Sequence, residues 1–259
     1  MSRDGPSPVA IIPARLGSQR FPRKVLADDT GMPLIVHVCH AARRLDTLER
    51  VLVATDAPEV AEAVTLAGFE AVLTGEHPNG TSRIAEVVCS LDLPDDTPVV
   101  NIQGDEPEIE PEAIRAGIEA LLASQAPIAT VATPFGPQED AADPNLVKVV
   151  LDASSRALLF SRAPIPHDLD GNGTQRLRHV GLYTYRAWFL KRVGDLAPTP
   201  LEQAERLEQL RFLEHGYTIA VASVASPRPG IDTPDQYRAF VARYRAARPQ
   251  APSERQQGG

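Results

Sequence analysis

A basic loop follows the first apolar run of the chain, and its side chains are of the types that bind phosphate. Residues 9–12 are rich in β-branched side chains, which predicts a strand buried on both faces that ends at Pro13. The next residues include Gly17 and four cations, with no acidic residue among them: Arg15, Arg20, Arg23 and Lys24. Glycine permits backbone angles that turn main-chain N–H groups toward phosphate oxygens. A cationic loop after an inner strand predicts a site for an anionic ligand, with a solvated surface loop as the alternative.

Two adjacent carboxylates follow another apolar run, at the same predicted edge of the sheet. Residues 99–103 predict a strand, and Asp105 and Glu106 follow it in the sequence Q-G-D-E-P. Carboxylates at the carboxyl end of a central strand suit a hard divalent cation such as Mg²⁺, whereas the alternative is a solvated turn. Asp232, in the segment G-I-D-T-P, is either part of a capping turn or a second metal-binding carboxylate. Magnesium bound to a polyphosphate requires this combination of basic side chains and carboxylates.

Arg83 is a candidate for the same cleft. It comes early in a predicted helix that follows the turn signal Asn79-Gly80, and Thr81 or Ser82 is expected to cap that helix. The spacing alone leaves open whether Arg83 points into the cleft.

Further polar residues lie on a predicted strand and a predicted helix of the second half. Alternation over residues 177–185 places one set of side chains on a common face: His179, Gly181, Tyr183 and Tyr185. Residues 201–215 predict one strong helix that Gly216 stops, with Glu205 and Glu208 together on one face. A half-buried strand and surface ion pairs are the alternatives to a binding role.

Strands and helices alternate along the first half of the chain, which predicts right-handed crossovers and a parallel sheet. The other predicted strands here are 51–55, 70–73 and 128–133, and the predicted helices are 33–45, 58–67 and 111–123. Residues 147–151 and 156–161 flank the turn D-A-S-S and predict an antiparallel hairpin in a smaller lobe or an extension of the sheet. A last strand, 218–223, precedes a helix that begins at Pro234 with Thr233 as its cap.

Size and charge limit the classes of protein. The 259 residues suit a single domain, 1–246, with a smaller inserted lobe at about 134–200 and a disordered polar tail, 247–259. The net charge of −8 argues against general nucleic-acid binding. No segment of the sequence has the length of a membrane span, and the first residues lack the apolar core of a signal peptide. Cys39 and Cys89 are interpreted as reduced core thiols. We therefore expect a cytoplasmic protein that binds neither nucleic acid nor membrane.

Nine blocks of sequence carry a resemblance to a known family. In order they read I-I-P-A-R…S-Q-R-F-P-R-K-V-L, V-A-T-D, N-G-T-S-R-I-A-E, N-I-Q-G-D-E-P, N-P-N-L-V-K-V-V, F-S-R-A-P-I-P, H-V-G-L-Y-T-Y-R, P-L-E-Q-A-E-R-L-E-Q-L-R and G-I-D-T-P-D, over residues 9–240. The chain resembles the 3-deoxy-manno-octulosonate (Kdo) cytidylyltransferases, also called CMP-Kdo synthetases. The resemblance implies a homodimeric, Mg²⁺-dependent enzyme that joins CTP to an acidic 3-deoxy-2-ulosonic sugar for lipopolysaccharide-type sugar incorporation, releasing pyrophosphate. It also implies a nucleotide-diphospho-sugar transferase-like, Rossmann-like mixed α/β sheet with a smaller antiparallel dimerisation and sugar-binding lobe.

The resemblance also implies a role for individual residues, four of which are catalytic: Arg15, Lys24, Asp105 and Asp232. Those expected to bind the nucleotide are Arg15, Ser18, Arg20, Lys24, Arg83 and Gln103. Those expected to bind the sugar are Gln103, Arg162, His179, Tyr183, Glu208 and Gln209. Asp105 and Asp232 are the expected magnesium ligands.

The chain departs from the family pattern in loops near the expected sugar pocket. Arg23 stands where a glycine is common, Met32 where a lysine or arginine is common, and His167 where a tryptophan is common. An amino-substituted Kdo or a neuraminate is therefore the alternative sugar. A nucleotidyltransferase for neutral sugar phosphates is disfavoured because the first loop lacks the G-x-G-T-R pattern. A catalytically silent nucleotide-binding protein is disfavoured by Asp105 and Asp232.

Overall fold

The computed structural model describes residues 5–17, 20–171, 173–225, 228 and 230–247. Its strands are β1 (Val9–Ala14), β2 (Arg50–Thr55), β3 (Glu70–Leu73), β4 (Pro98–Asn101), β5 (Ile128–Pro134), β6 (Lys148–Leu151), β7 (Ala157–Ser161), β8 (Leu177–Arg186) and β9 (Ile219–Ser223). Its α-helices are α1 (Leu34–Arg43), α2 (Pro58–Leu66), α3 (Gly80–Ser90), α4 (Pro111–Leu122), α5 (Ala187–Leu190), α6 (Pro200–Glu205), α7 (Glu208–Glu214) and α8 (Pro234–Ala247). Ser18 and the predicted tail beyond residue 247 lie outside the described residues.

The strands of the described chain form one mixed sheet in the order β3-β2-β1-β4-β8-β5-β9. Strands β1 to β4 run parallel to one another, and β9 runs parallel to β5. Strand β8 lies between β4 and β5 and is antiparallel to both, while the β6–β7 hairpin extends the sheet from the start of β8. The predicted mixed α/β sheet with an antiparallel extension is confirmed. The parallel half brings the carboxyl ends of β1 and β4 to one edge, where such sheets bind ligands.

Two large apolar clusters of the described residues pack on opposite faces of the sheet. Alternate residues of β1 go to opposite clusters, Ala10 and Ile12 to one and Val9 and Ile11 to the other. The first cluster takes its helical side chains from α1, α2 and α4, and the second from α3, α5 and α7. Because both faces are covered, the inner strands read as continuous apolar runs.

The first strand is longer than predicted. Pro13 lies inside β1, opposite Ala54 of β2, whereas pairing with β4 ends at Ile11. The prediction that proline ends the strand was therefore wrong. Proline lacks only the N–H group, and pairing on the β2 side continues to Ala14.

The predicted helix 201–215 is two helices. Arg206, in the left-handed region at φ 53°, ends α6, and Leu207 precedes α7. Thr199 and Glu202 form a capping box at the start of α6. The break separates Glu205 from Glu208, so the prediction that they share a face was wrong.

Two smaller predictions also differ from the structure. The side chain that caps α3 is Asn79, whose Oδ1 accepts from the Ser82 amide at 2.8 Å, rather than Thr81 or Ser82. Cys39 is a buried thiol, as predicted, but Cys89 is exposed. The prediction that Thr233 caps the last helix is confirmed, since its hydroxyl oxygen accepts from the backbone N–H of Gln236 at 3.3 Å.

Candidate active site

A cleft of about 720 Å³ opens at the carboxyl ends of β1 and β4. Six of the predicted site residues line it: Arg15, Arg20, Lys24, Arg83, Gln103 and Asp105, together with Asp232 from the far end of the chain as a seventh. These residues come from the loop after β1, the start of α3, the loop after β4 and the segment before α8. The fold thus collects the basic and acidic candidates in one cavity.

Lys24 lies between the two aspartates that the sequence singled out. Its side chain is 9% exposed, and its Nζ donates to Asp105 Oδ2 at 2.7 Å and to the carbonyl oxygen of Ile231 at 2.5 Å. The same nitrogen is 3.5 Å from Asp232 Oδ1. Arg20 Nη2 approaches that Asp232 oxygen at 3.1 Å. Two carboxylates that are 127 residues apart in sequence therefore converge on one point.

The loop after β4 packs directly on the end of β1 because residue 104 has no side chain. A Cβ atom at Gly104 would lie 2.9 Å from the Pro13 carbonyl oxygen, closer than the two atoms can approach. Any other residue would push this loop away from the strand. Gly104 therefore sets the distance between Asp105 and the end of β1, where the basic loop begins.

An arginine of the basic loop has a left-handed backbone. Arg23 has φ 55°, whereas Gly17 does not lie in the left-handed region, and its expected role in turning main-chain N–H groups toward phosphate stays a prediction. The Arg23 guanidinium pairs with Glu59 at the start of α2, with Nη1 2.9 Å from Oε1. The short 3₁₀ helix Lys24–Leu26 follows at once and directs Lys24 into the cleft.

Arg83 is fixed by polar groups at the ends of two neighbouring strands. Its Nη2 donates to Asp56 Oδ2 at 2.8 Å, and its Nη1 donates to Thr74 Oγ1 at 2.6 Å. The residue is 3% exposed and still contributes to the cleft wall. The spacing of the sequence left open whether Arg83 points into the cleft, and the structure shows that it does.

Gln103 connects the cleft to the aromatic side chains of β8. Its Nε2 donates to the carbonyl oxygen of Gly181 at 3.3 Å. The His179 and Tyr183 ring centroids are 5.4 Å apart, and those of Tyr183 and Tyr185 are 5.7 Å apart. These rings therefore form a continuous row, as the strand alternation predicts.

The ionisable groups of this row are neutral. Burial, followed by the charge of Arg178, lowers the pKa of His179 to about 3. His179 Nε2 is 3.0 Å from Thr130 Oγ1, and that hydroxyl donates its hydrogen to the Leu182 carbonyl oxygen. Burial also raises the pKa of the Tyr183 phenol.

Glu208 reaches the same region from the first turn of α7. Its Oε2 accepts from Thr81 Oγ1 at 2.5 Å. Burial raises the pKa of Glu208, and the Thr81 hydrogen bond and the positive charge of Arg211 oppose that shift. Gln209, the next residue, is buried. The break at Arg206 allows this carboxylate to face α3.

Arg162 does not line the cleft. Its Nε donates to the carbonyl oxygen of Glu205 at 2.7 Å, and its Nη1 to that of Pro144 at 2.7 Å. Its backbone N–H donates to a Glu205 carboxylate oxygen at 2.8 Å. The guanidinium thus ties the end of β7 to α6, and its role in binding the sugar stays a prediction.

The donor set of the cleft fits a magnesium ion shared with a substrate. The described residues contain no group of three or more His, Cys, Asp or Glu side chains that could hold a metal. Asp105 and Asp232 approach the same nitrogen, so both could ligate one cation there. Magnesium commonly takes one or two carboxylates and completes its shell with water and phosphate oxygens. Glu106 does not line this cleft, and its removal from water, together with the charge of Asp105, raises its pKa.

A mixed α/β sheet with cations and paired aspartates in its carboxyl-edge cleft defines the class of α/β nucleotidyltransferases. Residues 9–219 match the model of a family described as cytidylyltransferase. The chain belongs to the cytidylyltransferase family. Within the described residues, no helix is both long enough and apolar enough to span a bilayer.

Individual relatives share most of the length of the chain. The chain is 49% identical to a 3-deoxy-manno-octulosonate cytidylyltransferase of Serratia proteamaculans (strain 568) over 234 residues, 87% of this chain and 94% of the relative. It is 38% identical to a solved CMP:2-keto-3-deoxy-manno-octonic acid synthetase complexed with CTP, with a TM-score of 0.87 over 93% of this chain and 99% of the other. The inositol-1-phosphate CTP transferase from T. maritima, at 12% identity and a TM-score of 0.65 over 94% of this chain and 98% of the other, shares the fold.

Sequence reasoning missed the groups that support the site residues. Asp56 and Thr74 hold Arg83, and the Ile231 carbonyl oxygen holds Lys24. Asp56 stands at the end of a strand in V-A-T-D, a signal that could have marked it. A backbone carbonyl has no such signal, because every residue carries one.

Proposed function

We propose that this chain transfers a cytidylyl group from CTP to 3-deoxy-D-manno-octulosonate and releases pyrophosphate. The observation that carries the proposal is the convergence of Lys24, Asp105 and Asp232 in a cleft lined by further cations. Membership of the cytidylyltransferase family supports CTP as the nucleotide. The names of the Serratia proteamaculans relative and of the solved synthetase support Kdo as the acceptor sugar.

The basic residues of the cleft suit the triphosphate. Arg15 and Arg20 are exposed on its wall, and Lys24 lies deeper, beside the aspartates. We assign these three side chains, and Ser18 from the same stretch of sequence, to the phosphate oxygens. Positive charge held in place before the reaction stabilises the charge that develops on the departing pyrophosphate. Arg83 and Gln103, which also line the cleft, are assigned to the nucleoside and to the junction with the sugar.

The reaction joins the anomeric oxygen of the sugar to the α-phosphorus. The bond from that phosphorus to its bridging oxygen breaks as the new bond forms, pyrophosphate leaves with the electron pair, and the proton of the anomeric hydroxyl group is released to solvent. Asp105 and Asp232 would hold Mg²⁺, which when bound supplies positive charge at the phosphates. The protein contributes chiefly by holding the two reactants in line.

The sugar site extends from Gln103 along β8 to α7. A sugar with many hydroxyl groups needs fixed donors and acceptors, and the polar residues at this place supply both. Those assigned to it are Gln103, His179, Tyr183, Glu208 and Gln209. Arg162 is the assigned partner of the sugar carboxylate, although its guanidinium already donates to main-chain oxygens. We further propose a homodimer that works in the cytoplasm and supplies sugar for lipopolysaccharide-type molecules.

A pyrophosphate-release assay tests the proposal. Each of the four nucleoside triphosphates is combined with Kdo, amino-substituted Kdo or a neuraminate, with Mg²⁺ or with excess chelator. We expect release with CTP and Kdo only, and none with chelator. Faster release with amino-substituted Kdo or a neuraminate would reassign the acceptor. No release with any pair would end the proposal.

A further inference from the structure

One hydroxyl group connects the start of α3 to the Glu208 carboxylate. Thr81 is 3% exposed, and its Oγ1 donates to Glu208 Oε2 at 2.5 Å. Its neighbours along the chain, Asn79, Gly80 and Arg83, line the cleft. The first turn of α3 therefore touches the cleft on one side and Glu208 on the other.

The hydrogen bonds around Thr81 have a fixed direction. A threonine hydroxyl has one hydrogen, and here that hydrogen goes to Glu208. Thr81 and Asn101 are also hydrogen-bonding neighbours of the Tyr185 phenol, whose pKa burial raises, so the phenol is protonated. Thr81 can thus only accept from Tyr185. The arrangement needs Glu208 Oε2 as an acceptor, which holds the carboxylate in one orientation.

Thr81 also favours the ionised form of Glu208. Burial and the charge of Glu202 raise the pKa of Glu208, while Thr81 and Arg211 lower it. Arg211 is committed to Glu202, with which it makes a bond of 2.7 Å through Nε. Tyr183 and Tyr185 face Glu208 as neutral phenols. Thr81 is therefore the group on α3 whose hydrogen bond favours the ionised, accepting form of Glu208.

We propose that Thr81 is a positioning residue that holds the Glu208 carboxylate ready for a sugar hydroxyl and links this carboxylate to the nucleotide-binding helix. The proposal rests on the function proposed above. The oxygen of Glu208 that Thr81 does not hold is the one that meets the sugar. Thr81 touches neither substrate and acts through Glu208.

The experiment compares Thr81→Val, which removes the hydroxyl group at nearly constant volume, with Thr81→Ser, which keeps it. A lost hydrogen bond to a charged group predicts a fall in kcat/KM for the sugar of about tenfold or more in Thr81→Val. The KM for CTP should change by less than about twofold, since no phosphate or base contact is lost. Thr81→Ser should restore the parent values. Thr81→Ala is the second variant if the valine variant does not fold.

A double-mutant cycle separates positioning from a general structural effect. In the Glu208→Met background, which has no acceptor oxygen at this place, Thr81→Val should change kcat/KM for the sugar by less than about twofold, because the group through which Thr81 acts is gone. Thr97→Val is the matched control, since Thr97 is equally buried and its hydroxyl has no partner within the described residues. That control should leave both KM values unchanged and should not lower the melting temperature, because an unpaired buried hydroxyl group does not stabilise the fold.

The pH profile gives a further readout. Loss of the Thr81 donor raises the pKa of Glu208, so the acid limb of log kcat/KM for the sugar should move to higher pH in Thr81→Val and stay in place in Thr81→Ser. Equal rises in the KM values for CTP and for the sugar, or full additivity with Glu208→Met, would overturn the proposal. An unchanged kcat/KM for the sugar in a folded Thr81→Val protein would do the same. Failure of the parent to use any acidic sugar is a different result and would overturn the proposed function.

Discussion

Replacing Lys24 by methionine tests the central geometry of the cleft. The substitution keeps most of the side-chain volume and removes the ammonium group that Asp105 and Asp232 share. The two carboxylates and the Ile231 carbonyl oxygen then face one another without a cation. We expect Lys24→Met to be less stable than the parent protein, and Mg²⁺ to recover part of the loss.

The size of the effect follows from burial. Removing one partner of a fully buried ion pair costs about 3–5 kcal/mol. The side chains of Asp105 and Asp232 are 29% and 47% exposed, so water screens both, and we expect a cost of about 2–3 kcal/mol. For a chain of this length that cost lowers the melting temperature by about 5–10 °C. A divalent cation between the carboxylates replaces the lost charge in the variant, whereas in the parent it competes with Lys24.

The assay is thermal unfolding of both proteins, with millimolar MgCl₂ or with chelator. Lys191→Met is the matched control, because Lys191 pairs with the exposed Asp95 at 2.9 Å and such surface pairs contribute about 0–1 kcal/mol. We expect Mg²⁺ to raise the melting temperature of Lys24→Met more than that of the parent or the control. A Lys24→Met protein as stable as the control, with no response to Mg²⁺, would refute the reasoning.

Three further predictions concern single residues. Asp105→Asn should lower the rate of pyrophosphate release at least about 100-fold, since charge stabilisation by a bound cation contributes several kcal/mol. The far-UV circular dichroism spectrum should stay that of the parent protein. Unchanged turnover would remove the metal assignment. Arg162→Ala should raise the KM for the sugar more than the KM for CTP. It should also lower the melting temperature, because the guanidinium donates to the Glu205 and Pro144 carbonyl oxygens. A larger effect on the KM for CTP would relocate the sugar site. The pKa of His179 is about 3 in the folded protein and 6.5 in the unfolded chain. At a pH between these two values, His179 binds a proton only in the unfolded chain, so the free energy of unfolding should fall as the pH drops from 6.5 toward 3. Urea unfolding at pH 7 and pH 5 should show a smaller difference for His179→Gln than for the parent, and equal differences would contradict the buried neutral imidazole.

The site could be foreseen where it depends on the ends of parallel strands. Lys24 and Asp105 are 81 residues apart, but each follows an inner strand, and parallel strands bring their carboxyl ends to one edge. Apolar runs marked those strands, and the third strand has the bounds that the pattern predicts, Glu70–Leu73. Charge type and chain order were therefore enough to predict a basic and acidic cleft.

The break between α6 and α7 could not be foreseen because it contradicts local preference. Residues 201–215 are good helix formers, and a left-handed arginine costs about 1–2 kcal/mol. Contacts made only in the folded chain offset this cost. Glu205 accepts from the Ser161 hydroxyl at 2.6 Å, and Glu208 accepts from Thr81 at 2.5 Å. A continuous helix would not place both carboxylates at these partners.

The sequence by itself determined where the sheet-forming segments lie along the chain and the chemical type of the cleft, because burial on both faces and charge at strand ends leave a local pattern. Only the tertiary structure decided that Asp232 meets Lys24, that Arg162 donates to main-chain oxygens and that Thr81 turns from its expected capping role to Glu208. These contacts join residues far apart in the chain. Their geometry depends on how helices and loops pack, which no local pattern specifies.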